Sequence, residues 1–136
     1  MLSKRLEQVA SMVTKGNIIA DIGTDHGYVP IYLVEKGICP KAYAMDINQG
    51  PIESAIKNIE NYGLSEKIQA IKSNGLEKLE PEKADTIIIA GMGGELIVNI
   101  LENGLAKLEN CSRPVKELVL SPHKRGDLVR KYLEEH

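Results

Sequence analysis

Hydrophobic positions along the chain switch repeatedly between a helical and an extended period, and the switches lay out the elements. Leu2, Leu6, Val9 and Val13 share one face of a helix, which Gly16 should stop. Ile18–Ile22 is a nearly continuous apolar run, the pattern of a buried strand. A helix is predicted from near Tyr28, with Pro30 in its first turn and Gly37 at its end. Ala42–Asp46 reads as a second strand, and Pro51 opens a helix whose stripe of Ile52, Ala55, Ile56 and Ile59 runs to Gly63. Ile68–Ser73 is a shorter, half-exposed strand leading into Asn74-Gly75. Thr86–Ala90 is apolar almost throughout, as a central parallel strand covered on both faces should be. A helix from about Glu95, broken or bent near Gly104, a strand at Leu118–Leu120 and a helix over roughly Gly126–Glu134 complete the pattern. Strict alternation of strand and helix predicts an α/β fold with a parallel five-stranded sheet and right-handed crossovers.

In such sheets ligands sit beyond the carboxyl ends of the strands. The informative loops are then Gly23–Tyr28, Asp46–Asn48, Ser73–Leu76, Ala90–Gly94 and Ser121–Lys124, all on one edge. The first strand runs through Asp21 into Gly23-Thr24-Asp25-His26-Gly27, a glycine-punctuated turn with room for a ligand. Asp46 closes the second strand, where a carboxylate can accept from both hydroxyls of a ribose. Together they suggest an adenosine-containing cofactor.

The middle of the turn suggests which one. A dinucleotide fingerprint has glycines spaced G-x-G-x-x-G, with backbone N–H groups meeting a pyrophosphate. Here Asp25 stands where the second glycine would be. A carboxylate about 4 Å from a phosphate would cost on the order of 4 kcal/mol at an effective dielectric near 20. S-adenosylmethionine has no phosphate and carries a cationic sulfonium and a cationic amino group, which Asp21 and Asp25 would attract. The remaining readings are an NAD-type oxidoreductase and a turn that binds nothing.

Composition narrows the class further. With 43% hydrophobic and 26% charged residues, 136 positions suffice for one domain with its own core. Net charge is −2, so contact with nucleic acid would have to come from local patches. Cys39 and Cys111 are isolated and suggest neither a metal site nor a disulfide framework. Lys4, Arg5 and Glu7 interrupt any signal-peptide core, and the charge-free run Thr86–Gly94 is too short to cross a bilayer, so a cytoplasmic protein is expected.

These segments resemble the class I S-adenosylmethionine-dependent methyltransferases and, more narrowly, the bacterial family that methylates N1 of adenine 22 in tRNA. The resemblance is carried by Ser3-Lys4-Arg5-Leu6, Asp21-Ile22-Gly23-Thr24-Asp25-His26-Gly27-Tyr28-Val29-Pro30, Asp46-Ile47-Asn48, Gly50-Pro51, Ser73-Asn74-Gly75-Leu76 and Ala90-Gly91-Met92-Gly93-Gly94. It implies a Rossmann-like three-layer sandwich, S-adenosylmethionine as cofactor and tRNA as partner. Family members continue through two further strands and a C-terminal helical hairpin that engages tRNA. This chain ends at His136 after the fifth strand and its helix, and is expected to be a shortened form of residues 1–136 without those parts. Its edge beside the fifth strand is then expected to favour self-association. Binding of the cofactor without turnover is the companion reading. Ser121-Pro122-His123 also departs from the Gln-Pro-Asn-like triplet that the resemblance leads one to expect.

The implied cofactor residues are Arg5, Asp21, Gly23, Asp25, His26, Gly27, Tyr28, Asp46, Ile47, Asn74, Gly75, Ala90 and Gly91. Gly23 and Gly27 would let the backbone approach the methionine moiety, Arg5 would cover its carboxylate, and Asn74 and Gly75 would flank the adenine. Met92, Gly93 and His123 are the implied substrate residues. His123, Lys124, Arg125, Arg130 and Lys131 form a basic cluster at the site edge. Since N1 of adenine already carries its lone pair, no acid or base is required and no catalytic side chain is assigned.

Overall fold

The computed structural model describes residues 2–136. Its elements follow in the order α1 (Lys4–Ser11), β1 (Ile19–Ile22), α2 (Tyr28–Glu35), β2 (Ala42–Asp46), α3 (Gln49–Asn61), β3 (Ile68–Lys72), β4 (Thr86–Ala90), α4 (Gly94–Glu109), β5 (Glu117–Ser121) and α5 (Gly126–Glu135). Five parallel strands lie in the order β3-β2-β1-β4-β5, which reverses direction at β1. Two half-sheets wound outward from β1 leave a crevice at that switch point, beyond the strand ends.

Side-chain alternation along the strands divides the interior into two layers. Ile19, Ala42, Ala44 and Ile88 pack on one face with Val9, Leu33 and Ile59 from α1, α2 and α3. Ala20, Ile22, Met45, Ile87 and Ile89 pack on the other with Ile97, Leu101 and Val129 from α4 and α5. The three-layer α/β arrangement agrees with the reading of the sequence. Cys39 lies in the first layer, where burial and the nearby Glu117 carboxylate push its thiol up to about 11, leaving it a packing residue.

Away from the crevice, buried Asp85 ties the sheet's other end together. Its carboxylate accepts from the Ile18 N–H at 2.8 Å and from Nε and Nη2 of the Arg113 guanidinium. These contacts account for the aspartate without a ligand.

One element differs from expectation. Helix α4 runs unbroken through Gly104 to Glu109. The glycine is there for closeness, because a Cβ at that position would meet Leu76 Cβ at 2.6 Å. Gly104→Ala is therefore expected to destabilise by about 1–3 kcal/mol through overpacking, despite alanine's better helix propensity. Urea unfolding checks the sign, since a helix limited only by propensity would gain stability instead.

Candidate functional site

Gly23 begins the turn after β1 and is tied to the neighbouring strand, because the N–H groups of Gly23 and Thr24 both donate to the Met45 carbonyl, at 2.8 and 2.9 Å. Asp25 then takes a left-handed conformation with φ +60°. That conformation is strained for a residue with a Cβ, and the Asp46 carboxylate holds it by accepting the Asp25 N–H at 3.1 Å. Gly27 follows at φ +77° and starts α2. A Cβ there would come within 3.2 Å of Ala55 on α3, so glycine serves both the turn and the packing.

Asp46 ends β2 at 8% exposure. Its second oxygen accepts the Asn48 N–H at 3.1 Å. Each oxygen thus keeps a lone pair free for a further donor. Asp21, at 5% exposure, is a second buried acid at this end of the sheet, and the Thr24 hydroxyl donates to its Oδ2 at 2.9 Å. Burial pushes Asp21 up to about 7; the Thr24 hydrogen bond opposes the rise and the charge of Asp46 adds to it.

Between these groups lies a cleft of about 480 Å³. Asp21, Gly23, Asp25, His26, Tyr28, Asp46, Ile47, Ala90, Gly91 and Met92 all line it, so most of the residues singled out in the sequence converge. Met92 leans across from the β4 side, with its methyl where a Gly23 Cβ would stand. His26 is fixed by Ser54 Oγ, 2.7 Å from Nδ1, and its ring lies 5.2 Å from that of Tyr28. The Arg5 guanidinium reaches the mouth beside Gly91 and donates to the Ser121 carbonyl at 3.2 Å.

Asn74 and Gly75 are not brought into this cleft. They line a separate groove with Asn99, Asn103 and Lys107. The Ser73 hydroxyl donates to the Gly75 carbonyl and accepts the Lys78 N–H, which curls the loop beneath α4. Gly93 and His123 stand at the rim, where the loops after β4 and β5 are zipped together. Gly91 N–H donates to Ser121, His123 N–H to Met92 and Gly94 N–H to Lys124. A Cβ on Gly94 would run into the Arg125 carbonyl oxygen, so the two loops meet backbone to backbone.

Sequence reasoning assigned no ligand-site role to Thr24, Asn48, Val29, Pro51, Leu6 or Leu96. Thr24 supplies the one side-chain donor on Asp21, and the others line the cleft. Thr24 and Asn48 stood inside the motifs, but their short polar side chains read equally well as turn formers.

Buried carboxylates suit a cationic ligand with vicinal hydroxyls better than a diphosphate. No group of three or more acids, histidines or cysteines able to hold a metal occurs among the described residues. No helix among them is long and apolar enough to cross a membrane.

Comparison with known proteins points the same way. A family model described as a methyltransferase domain matches residues 2–136. The chain is 42% identical over 132 residues to a tRNA (adenine(22)-N(1))-methyltransferase of Bacillus subtilis, covering 97% of this chain and 54% of that protein. The crystal structure of the B. subtilis M1A22 tRNA methyltransferase TrmK superposes with a TM-score of 0.92 at 41% identity, over 99% of this chain and 56% of that one. A Streptococcus pneumoniae protein solved in complex with S-adenosyl-L-methionine gives 0.94 at 50% identity, over 100% and 62%. The chain thus spans little more than half the length of these relatives.

Proposed function

The chain belongs to the methyltransferase-domain family, and from that membership we propose that it binds S-adenosylmethionine in the cleft and transfers the methyl group to N1 of an adenine in tRNA. Residues 1–136 form the cofactor-binding methyltransferase domain in this reading, and the protein works in the cytoplasm. The observation that carries it is the acidic floor, where Asp21 and Asp46 are buried beneath a turn occupied by Asp25.

When bound, the cofactor supplies an electrophilic methyl group. The chain's own residues bind and aim. Asp46 accepts from the ribose hydroxyls through its remaining lone pairs. Asp21 and Asp25 attract the amino group, and Arg5 at the mouth faces the carboxylate. The target base leaves its stack to reach the cleft. There it meets Met92 and the backbone of Gly91, and the carbonyls of Ala90 or Gly91 accept from its exocyclic amine. In-line alignment of nitrogen, methyl and sulfur can supply roughly 7–11 kcal/mol of barrier lowering, and since N1 attacks with its own lone pair no side-chain base is assigned.

Incubation with labelled S-adenosylmethionine and an unmodified tRNA transcript tests the reading. Label recovered as 1-methyladenosine supports it. Label at another position refutes the target, and bound cofactor without any transfer refutes turnover by this chain.

Strand β5 forms one edge of the sheet, and the open edge supports self-association of the chain in this reading. Light scattering should report dimers whose fraction rises with concentration, and a monomer throughout would contradict this.

A further inference from the structure

Five basic residues crowd the segment from His123 to Lys131, and the structure sorts them. Arg125 is committed, with its guanidinium 3.2 Å from Asp127 and 3.8 Å from Glu95. Lys131 faces away, into a groove lined by Glu95, Glu102 and Glu135. His123, Lys124 and Arg130 remain, all exposed and none in an ion pair among the described residues.

Two features place these three side chains rather than leaving them scattered. The Lys124 backbone is bridged to Gly93, and its aliphatic stem lies across that glycine, with Cε 3.3 Å from where a Cβ would be. His123 Cε1 lies 3.7 Å from the same point. Arg130 reaches back along α5 to Gly126, with Nη1 3.6 Å from that residue's Cβ position. Gly93 follows Met92, which lines the cleft. His123 and Lys124 therefore adjoin the residue that follows Met92, on the β4–β5 side of the sheet away from Asp46, and Arg130 stands over the start of α5, so a basic rim lies next to an acidic floor. A small cationic cofactor is served by the floor alone.

We infer that this rim is a ledge for RNA phosphates, on which Lys124, His123 and Arg130 hold the strand that presents its base to the cleft. The inference rests on the reading of the cleft given above. A base drawn out of its stack leaves its flanking phosphates at the surface. The unpaired cations Lys124 and Arg130, with the His123 ring beside them, meet these phosphates in a chain whose net charge of −2 offers no general attraction.

The test measures binding of an unmodified tRNA transcript to the 136-residue protein by fluorescence anisotropy over a range of salt. Lys124→Gln and Arg130→Gln should each weaken binding and lower the slope of log K against log salt by about one. Lys57→Gln, on α3, should change neither. Binding of S-adenosylhomocysteine, followed by calorimetry, should match the wild type in all three. Arg130 makes no backbone bridge, so a folding defect at Lys124 leaves its result standing. An unchanged slope for both rim variants overturns the ledge, as does failure of the wild-type chain to bind RNA. Loss of S-adenosylhomocysteine binding by the wild type would instead refute the reading of the cleft.

Discussion

Asp46→Ala is expected to weaken S-adenosylhomocysteine binding about a hundredfold. The variant loses two hydrogen bonds from ribose hydroxyls to a buried carboxylate, each worth roughly 1.5–3 kcal/mol. A combined loss of about 3 kcal/mol is two powers of ten in the dissociation constant. It also releases the Asp25 and Asn48 N–H groups, so the left-handed turn at Asp25 loses what holds it. Asp46→Asn keeps the shape but not the charge, and should fall between alanine and the wild type. Calorimetric titration with S-adenosylhomocysteine decides. A loss of less than fivefold for the alanine variant would mean that the ribose does not lie at Asp46.

The second large effect is a pH dependence centred on Asp21. Burial pushes its carboxyl up to about 7 in the folded protein, from an ordinary 3.8. Between those limits the folded state holds a proton that the unfolded chain has released. Stability must therefore fall as pH rises from about 4 to 7 and level off above, with a ceiling on the order of 4 kcal/mol for a shift of that size. The charged neighbours around the cleft are Asp46 from β2, Asp25 and His26 from the turn and Arg5 from α1. Their contributions are shared by Asp21→Asn, so the difference between wild type and variant isolates Asp21. Urea unfolding at pH 5 and pH 8 should show the wild type losing stability relative to Asp21→Asn. The amino group that S-adenosylhomocysteine keeps favours the ionised carboxyl, so wild-type affinity for it should rise over the same range and that of Asp21→Asn should stay flatter. Parallel pH profiles would show that Asp21 is already ionised at pH 5.

Both effects fall on residues visible in the sequence, for a physical reason. An acid at the end of an apolar strand can only lie at the sheet's carboxyl edge, so Asp21 and Asp46 were placed by period and spacing alone. The central strands were equally plain, since burial on both faces demands unbroken runs such as Ile87-Ile88-Ile89. Less local matters escaped. Gly104 carries the helix-breaking preference of every glycine, and only the packing of Leu76 against α4 explains why the helix passes through it. Asn74 and Gly75 follow a strand end just as Asp46 does, yet Ser73 turns their loop beneath α4 and into a different groove. The basic cluster looked uniform in sequence, and only the ion pairs of Arg125 and the surroundings of Lys131 divided it. Composition and spacing carry no information about such partners.

The preference for a phosphate-free cofactor with a cationic amino group is tested most directly by titrating one sample in parallel with S-adenosylhomocysteine, which keeps that group, and with NAD. Saturable binding of the first, with no heat from the second at the same concentrations, is the predicted result. Binding of NAD with S-adenosylhomocysteine excluded would contradict it, because the carboxylates of Asp21, Asp25 and Asp46 would then be facing a diphosphate.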